Sequence, residues 1–249
     1  MDKFIKDIAE LANKIDLNKR FNWDSWLLNF EANELFSSDE KKKILEHDSV
    51  LDKNIALKRV LNEKFKNTSN TLKSNLALSF WYIQKWGGIN NFKEANSEIL
   101  EKAIVKSSKK EYISSIDKIS SLSKITSIVD IENQVIYDSR VVYAFNWLIL
   151  KRFDGNLKFF PMPNGRSSVA SNFDIGTLIN FKFHRRFHEK DLYIEPSQAY
   201  EKFCKMFKVI NSAVYSDYKN EPFRLEMLLF TAMDKEIFED IKQSIKISL

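Results

Sequence analysis

A chain of 249 residues, 44% of them hydrophobic, is long enough to bury a sizeable core, which excludes a disordered protein. Its 5 glycines and 4 prolines are too few for an all-β fold built on tight turns, and its single cysteine excludes an internal disulfide and favours a reducing cytoplasm. The net charge of +5 permits binding to nucleic acid without requiring it, and no apolar run approaches the ~18 residues of a membrane span.

The first part of the chain is predicted to form a series of amphipathic helices, because apolar residues recur there at helical spacing. Ser37 or Ser38 precedes an acidic first turn and is predicted to cap one of these helices. Gly87-Gly88 is a C-cap signal at the end of the most apolar helix. The predicted helices span residues 1–36 (one or two helices), a segment starting at Ser38, and residues 50–66, 72–86 and 92–107.

Residues 113–151 are predicted to form two short helices joined by a tight hairpin, then a brief extended run, then a buried helix. The two short helices are indicated by two apolar faces, Ile113, Ile116 and Ile119 in the first and Ile125, Ile128 and Val129 in the second. The hairpin lies at 120–123, with Lys124 at the start of the second helix. A helix start offers unpaired backbone N–H groups and a partial positive charge, so this hairpin is predicted to hold a phosphate. Asp138 directly precedes the buried helix, in a good N-cap position.

Residues 154–166, DGNLKFFPMPNGR, form the longest turn-rich segment of the sequence. Long loops inside compact domains are often functional, and polar side chains that can donate hydrogen bonds lie near the tip. These side chains are Asn164, Arg166, Ser167 and Ser168. A functional loop and a surface connector are both consistent with this composition.

Residues 173–190 mix basic side chains with phenylalanines, which suits phosphate contact combined with stacking on bases. The edge of an amphipathic helix is an equally good interpretation. The basic residues that carry the nucleic-acid interpretation are Lys182, Arg185 and Arg186. His184 and His188 have the spacing of two metal ligands on a helix, but no third ligand is visible, so no metal site is predicted. Further helices are predicted at residues 196–215 and 223–233, and Asp234 is predicted to cap a last helix.

The order of these motifs resembles that of the helix-hairpin-helix DNA glycosylases. In that family a hairpin of the form L-P-G-x-G-x-K is followed, roughly one helix later, by V-D-x-x-V. Residues 122–124, Leu-Ser-Lys, match the end of the hairpin, and residues 137–141, Tyr-Asp-Ser-Arg-Val, match the Asp motif. The hairpin glycines are absent, and the Lys and the Asp are 14 residues apart, about four fewer than in the family. The I-Y-D-S-R-V-x-x-A-x-N block and the FPMPNGR segment also resemble bacterial members linked to phage defence.

The resemblance implies an all-α fold in a single domain, residues 1–249, with two helical lobes and the 113–151 unit lining the groove between them. It implies a DNA glycosylase, a hydrolase that excises a modified base and leaves an abasic site. A modified cytosine of phage DNA is the favoured target, in antiviral defence. Asp138 is the implied catalytic residue, and it is also a candidate helix cap. Lys124 is a catalytic nucleophile, a phosphate ligand or a surface lysine.

The same resemblance implies that double-stranded DNA is the partner of a monomeric protein, with no cofactor. The implied DNA contacts are Ser121, Ser123, Arg140, Lys182, Arg185 and Arg186. The implied pocket for a flipped base is formed by Trp81, Trp86, Tyr137, Asn164 and Arg166. Three alternatives stay open: a repair glycosylase for oxidised or alkylated bases, a non-catalytic helix-hairpin-helix DNA-binding protein, and an unrelated helical interaction protein.

Overall fold

The structure, a computed structural model, describes residues 1–28, 30–67, 71–153, 155–164, 173–183 and 192–245. Helices dominate these residues, and their only β-structure is a single bridge between Phe159 and Tyr193, so the all-α prediction is confirmed. The α-helices are α1 (Asp2–Lys14), α2 (Leu17–Arg20), α3 (Ser38–Leu45), α4 (Val50–Lys66), α5 (Leu72–Trp81), α6 (Ser97–Ser108), α7 (Ile119–Val129), α8 (Ser139–Arg152), α9 (Ile175–Phe183), α10 (Pro196–Val214), α11 (Phe223–Ala232) and α12 (Phe238–Ser244). The division into two lobes stays a prediction.

Side-chain caps start several helices at the positions that the sequence indicates. Ser37 Oγ accepts the Glu40 N–H at 3.3 Å while the Glu40 carboxylate accepts the Ser37 N–H at 2.7 Å, which is a capping box. Ser49 and Thr71 cap α4 and α5 through a single bond each, in which the hydroxyl accepts a backbone N–H of the first turn. Pro196 occupies the first turn of α10, where its missing N–H costs nothing.

Helix α5 continues into a π-helical turn, Tyr82–Trp86, that ends at Gly87. The Gly87 N–H donates to the Tyr82 carbonyl at 2.8 Å, which closes the wide turn. Gly88 then has a φ of 67°, in the left-handed region that favours glycine. The predicted stop at this glycine pair is confirmed, and the π turn stacks the ring of Trp86 on that of Tyr82 with centroids 4.2 Å apart.

The connection between α6 and α7 differs from the predicted hairpin. Residues 111–116 form no helix, although their isoleucine spacing predicts one. The Ser115 hydroxyl accepts the Asp117 N–H at 3.1 Å, a local bond that competes with helix formation. Lys118 then turns the chain into α7 with a φ of 54°.

The serines predicted to form the hairpin therefore lie inside α7, which begins at Ile119. Lys124 lies in the middle of this helix and not at its start. The left-handed residue that the turn needs is Lys118, so the tight turn lies at least two residues earlier than predicted. A lysine occupies it even though glycine adopts this conformation without steric cost.

An extended segment, residues 134–138, joins α7 to α8 and crosses the core without a strand partner. Buried backbone groups must be paired, and buried polar side chains supply the partners. The bonds run from the Ile136 N–H to Glu226 Oε2 (2.8 Å), from the Tyr137 N–H to Ser123 Oγ (3.0 Å) and from the Tyr200 hydroxyl to the Val135 carbonyl (3.0 Å). These tethers fix the position of the segment that ends at Asp138.

Helix α8 lies at the centre of the main core, as the sequence predicts for a buried helix. Every residue from Val141 to Leu150 is buried. The Phe145 ring lies 5.1 Å from that of Phe207 and 5.6 Å from that of Phe203, both on α10. None of the described helices is long and apolar enough to cross a membrane.

Candidate active site

A cleft of about 590 Å³ opens beside the first turns of α7 and α8 and the turn that follows α5. A narrow apolar recess of about 70 Å³ adjoins it. The two cavities share five of their lining residues, Trp23, Gly87, Lys124, Asp138 and Phe230. Because they share these walls, cleft and recess form one site. The size of the cleft lies in the range of ligand-binding pockets.

Lys124 is a buried cation that lines both the cleft and the recess. It is only 5% exposed, and its ammonium makes no hydrogen bond or ion pair with any described residue. Loss of hydration lowers the pKa of Lys124, whereas the charges of Asp138 and Glu226 act in the opposite direction. A lowered pKa increases the fraction of neutral amine, which is the nucleophilic form of lysine.

Asp138 is half-buried and caps α8 with one of its two carboxylate oxygens. Oδ1 accepts the Val141 N–H at 2.9 Å, and Oδ2 accepts no hydrogen bond from the described residues. The carboxylate lines the same two cavities as Lys124 without coming within the 4.0 Å of an ion pair. One oxygen therefore fixes the side chain, while the other is free for a ligand.

Aromatic side chains form the apolar wall of the site. The Trp23 ring lies 6.1 Å from that of Trp86 and 5.3 Å from that of Phe230, both in edge-on contacts. Trp23 Nε1 donates to the Trp86 carbonyl at 2.8 Å, and Trp86 Nε1 donates to Asn54 Oδ1 at 2.7 Å. Both indoles are thus held in place, and both of their N–H groups are already bonded.

A second ionic group borders the recess. Glu226, which is 6% exposed, lines it, and Glu226 Oε1 lies 3.4 Å from Lys58 Nζ, which is fully buried. Burial raises the pKa of Glu226 and lowers that of Lys58, and the charge of each partner opposes the effect of burial on the other. Each partner thus compensates part of the loss of water that burial imposes on the other.

The rim of the cleft combines helix starts with basic side chains. Residues 120 and 121 of α7 and 139 and 140 of α8 line it, and helix N-termini attract anions. Lys118 also lines the cleft, and Arg140 forms an ion pair with Asp234 at 3.3 Å. Asp117 and Asp138 are the acidic members of the lining. This rim is suited to phosphate contacts.

Six of the residues predicted from the sequence line the cleft or the recess: Lys124, Asp138, Ser121, Arg140, Trp86 and Asn164. Lys124 and Asp138 are brought together because α7 and the extended segment pack side by side. Trp86 reaches the recess from the π turn. In the described ranges no three His, Cys, Asp or Glu side chains come together as metal ligands.

Four other predicted residues do not line the cleft or the recess. The Ser123 hydroxyl is buried and accepts the Tyr137 N–H, and the Tyr137 hydroxyl donates to the Pro161 carbonyl at 2.6 Å in the core. Trp81 packs in an aromatic cluster, with its ring 5.1 Å from that of Phe36. Lys182 Nζ donates to the Leu150 carbonyl at 2.8 Å. Among the other residues singled out in the sequence, the structure does not describe Arg166, Arg185, Arg186, His184 and His188.

The structure also adds site residues that the sequence analysis did not identify, namely Trp23, Gly87, Lys118, Glu226 and Phe230. Glu226 had a detectable signal, because it is a lone carboxylate within the apolar run FRLEMLLFTAM. The others carry no local signal, since their role depends on which distant residues pack beside them.

No protein-family model, curated protein or solved structure matches this chain. The functional conclusion therefore depends on the site itself, a cleft and recess that combine a buried amine, a free carboxylate oxygen and an aromatic wall.

Proposed function

We propose that the protein is a DNA N-glycosylase that removes a modified base and leaves an abasic site. One observation carries this proposal. Lys124 and Asp138, which stand 14 residues apart in the sequence, line the same cleft from different elements. Their order along the chain is the one found in the helix-hairpin-helix DNA glycosylases that the sequence resembles.

The chemistry follows from these two side chains. Breaking the bond between C1′ and the base nitrogen builds positive charge on the sugar, and the free oxygen of Asp138 stabilises that charge. The neutral amine of Lys124 attacks C1′, the base leaves with the electron pair of the broken bond, and the proton that the amine loses passes to the departing base. Opening of the sugar ring gives a Schiff base, and its hydrolysis regenerates the amine. In the simpler route water replaces the lysine as nucleophile, and Asp138 accepts its proton.

The surroundings of the pair suit a base flipped out of duplex DNA. Unstacking a base costs a few kcal/mol, and an aromatic pocket wall offsets that cost. Trp23, Trp86 and Phe230 provide such a wall. The two helix starts at the rim, together with Lys118 beside them, suit the phosphates on either side of the flipped nucleotide.

The volume of the cleft supports a modified cytosine of phage DNA as the target, in antiviral defence. A bulky or sugar-bearing substituent needs a roomy space next to the base, and the cleft measures about 590 Å³. Asn164 lines it and offers polar contacts to such a substituent. Removal of oxidised or alkylated bases in repair is the runner-up function.

The test is base release. The protein is incubated with DNA that carries glucosylated hydroxymethylcytosine, with oxidised DNA, with alkylated DNA and with unmodified DNA, and abasic sites are scored. Release from the glucosylated DNA is expected. Release from the damaged DNA alone would replace the defence role by repair, and DNA binding without release from any substrate would leave the non-catalytic DNA-binding protein.

Asp138→Asn separates chemistry from folding. Asparagine caps helices as well as aspartate does, so α8 is retained while the charge that stabilises the sugar is lost. Base release should disappear with little change in unfolding free energy. The matched control is Asp174→Asn, because Asp174 Oδ2 accepts the Thr177 N–H at 2.6 Å at the start of α9, outside the cleft. This control should release bases at the wild-type rate.

A further inference from the structure

The recess contains three charged side chains, Lys124, Asp138 and Glu226. The proposed function assigns the first two to the sugar. Glu226 has no part in that chemistry, although it is the third charged group in a recess otherwise lined by apolar residues. A buried carboxylate is costly to keep, so its position at the wall of a ligand cavity calls for a role.

The carboxylate of Glu226 is fixed but not saturated. Oε2 accepts the Ile136 N–H at 2.8 Å, and Oε1 faces Lys58 Nζ at 3.4 Å. An ionised carboxylate has about four acceptor positions, so roughly two stay open after these bonds. The recess therefore presents a hydrogen-bond acceptor whose position is held by two donors.

Among the described residues that line the recess, only Lys124 has a side-chain donor that is free to bind a ligand. The N–H groups of Trp23 and Trp86 are already bonded to the Trp86 carbonyl and to Asn54. The ammonium of Lys58 is fully buried behind Glu226 and does not line the cavity. A base edge that enters the recess thus meets the Glu226 acceptor, and the only free side-chain donor of the described lining is Lys124, which the proposed function assigns to the sugar.

The size of the recess limits what can enter it. Its volume of about 70 Å³ is less than half of that of an engineered ~150 Å³ cavity that holds benzene. A whole base ring does not fit, whereas one edge of a base does. The ring then lies in the wider cleft, beside Trp23 and Phe230, with its edge directed at Glu226.

We propose that Glu226 is a specificity-determining residue that accepts a hydrogen bond from an exocyclic amino group of the target base. The site then takes amino-bearing bases of the cytosine or adenine type. It rejects bases of the uracil or thymine type, because the oxygen that replaces the amino group at ring position 4 would face the carboxylate oxygen without a proton between them. This inference rests on the proposed function for the assignment of Lys124 and Asp138 to the sugar.

The experiment compares two duplexes of the same sequence, one with 5-hydroxymethylcytosine and one with 5-hydroxymethyluracil opposite guanine. A second pair carries the glucosylated forms of the two bases. Within each pair the bases differ only in an amino group or an oxygen at ring position 4 and in the ring proton that accompanies the oxygen. The uracil derivative is mispaired with guanine and therefore easier to flip, so a preference for the cytosine derivative comes from the pocket.

Two readouts are measured on each pair. The first is base release by the wild-type protein, and the second is binding by the Asp138→Asn variant, which needs no chemistry. Both should favour the amino-bearing duplex by about five- to tenfold, which is the lower part of the discrimination that a bidentate pair of contacts to a base edge gives. Glu226→Gln should bring both ratios close to one, because an amide both donates and accepts.

A double variant protects the test from a folding defect. Glu226→Gln alone leaves the Lys58 ammonium buried without its counter-ion, whereas Lys58→Met with Glu226→Gln removes both charges. The double variant should show the same loss of preference as the single one. A role of Glu226 in folding alone would lower release and binding on both duplexes and leave the ratios unchanged, which would overturn the proposal.

The outcomes separate this inference from the proposed function. Equal release of both bases would overturn the role of Glu226 while supporting the glycosylase. A binding preference that depends on Glu226, without release from either duplex or from any DNA of the base-release test, would support the role of Glu226 and overturn the glycosylase. Neither release nor preference on any of these DNAs would overturn both.

Discussion

Replacing Gly87 by alanine is expected to displace Lys124 and change its pKa at a modest cost in stability. A Cβ at this position would lie 2.6 Å from Lys124 Cε, 2.8 Å from Lys124 Cδ and 2.6 Å from the Ile83 carbonyl oxygen. Favourable contacts between carbon atoms need about 3.5–4.0 Å, so something must move. The lysine stem is a flexible side chain and moves first, because the Ile83 carbonyl is part of the backbone of the π turn.

The cost can be estimated from two opposing effects. Overpacking a buried site costs about 1–3 kcal/mol. The backbone of Gly87 has a φ of −83° and a ψ of −9°, which alanine adopts freely, so the reduced entropy of the unfolded chain returns about 0.4–1 kcal/mol. The expected net loss in the free energy of unfolding is about 1–2 kcal/mol.

The neighbouring glycine supplies the matched control. Gly88 has a φ of 67° and no heavy atom within 4 Å of the position of a Cβ, so Gly88→Ala strains the backbone without touching Lys124. A left-handed non-glycine residue costs about 1–2 kcal/mol, which is similar to the cost expected at Gly87. The two variants therefore lose comparable stability but differ in their effect on the lysine.

Urea unfolding measures the stability of both variants, and NMR titration of the lysine ammonium measures the pKa of Lys124. That pKa should rise towards its ordinary value in Gly87→Ala, because a displaced side chain regains water, and it should stay unchanged in Gly88→Ala. Borohydride trapping of a covalent complex with substrate DNA should weaken only in Gly87→Ala. An unchanged Lys124 pKa in Gly87→Ala, or the same change in both variants, would refute the reasoning.

Three further predictions concern charged residues in and around the site. Lys124→Met should raise the unfolding free energy at neutral pH by about 1.4 kcal/mol for each unit by which the lysine pKa is lowered. Urea unfolding at several pH values should show that the wild-type protein regains this stability as pH rises from the lowered pKa to the ordinary 10.5. A difference between the two proteins that does not change with pH would contradict the prediction. Lys118→Gly should stabilise the fold by up to about 1 kcal/mol through relief of the left-handed conformation, yet reduce the salt dependence of DNA affinity by about one counterion; a loss of stability or an unchanged salt slope would refute the respective part. Lys58→Met should cost about 3–5 kcal/mol by leaving Glu226 unpaired, and adding Glu226→Gln should recover part of that loss in a double-mutant cycle, whereas additive losses would show that the pair is not coupled.

The sequence by itself determined the helical fold and most of its helix ends. Val50–Lys66 matches the predicted helix, and Ser37, the Gly87-Gly88 pair and Pro196 act as the predicted start and stop signals. Asp138 caps α8 as predicted. These features depend on hydrophobic periodicity and on bonds between residues a few positions apart, which a sequence displays directly.

The sequence pattern gave a wrong prediction of secondary structure where two local signals competed. The isoleucines at 113 and 116 have helical spacing, yet Ser114, Ser115 and Asp117 around them favour turns, and the turn is what forms. For the same reason the hairpin was predicted at residues that belong to α7, and Lys124 was predicted at a helix start. The burial of Lys124 in the middle of α7 was not foreseen.

Only the tertiary structure decided which side chains share the cleft. Lys124 lies against Gly87, Glu226 reaches the recess beside Asp138, and Trp23 joins Trp86, all from positions far apart in the sequence. Residue identity states what a side chain can do, whereas packing sets its hydration and its partners. Because the lowered pKa of Lys124 and the raised pKa of Glu226 depend on that hydration and those partners, the chemistry of the site becomes visible only in the folded chain.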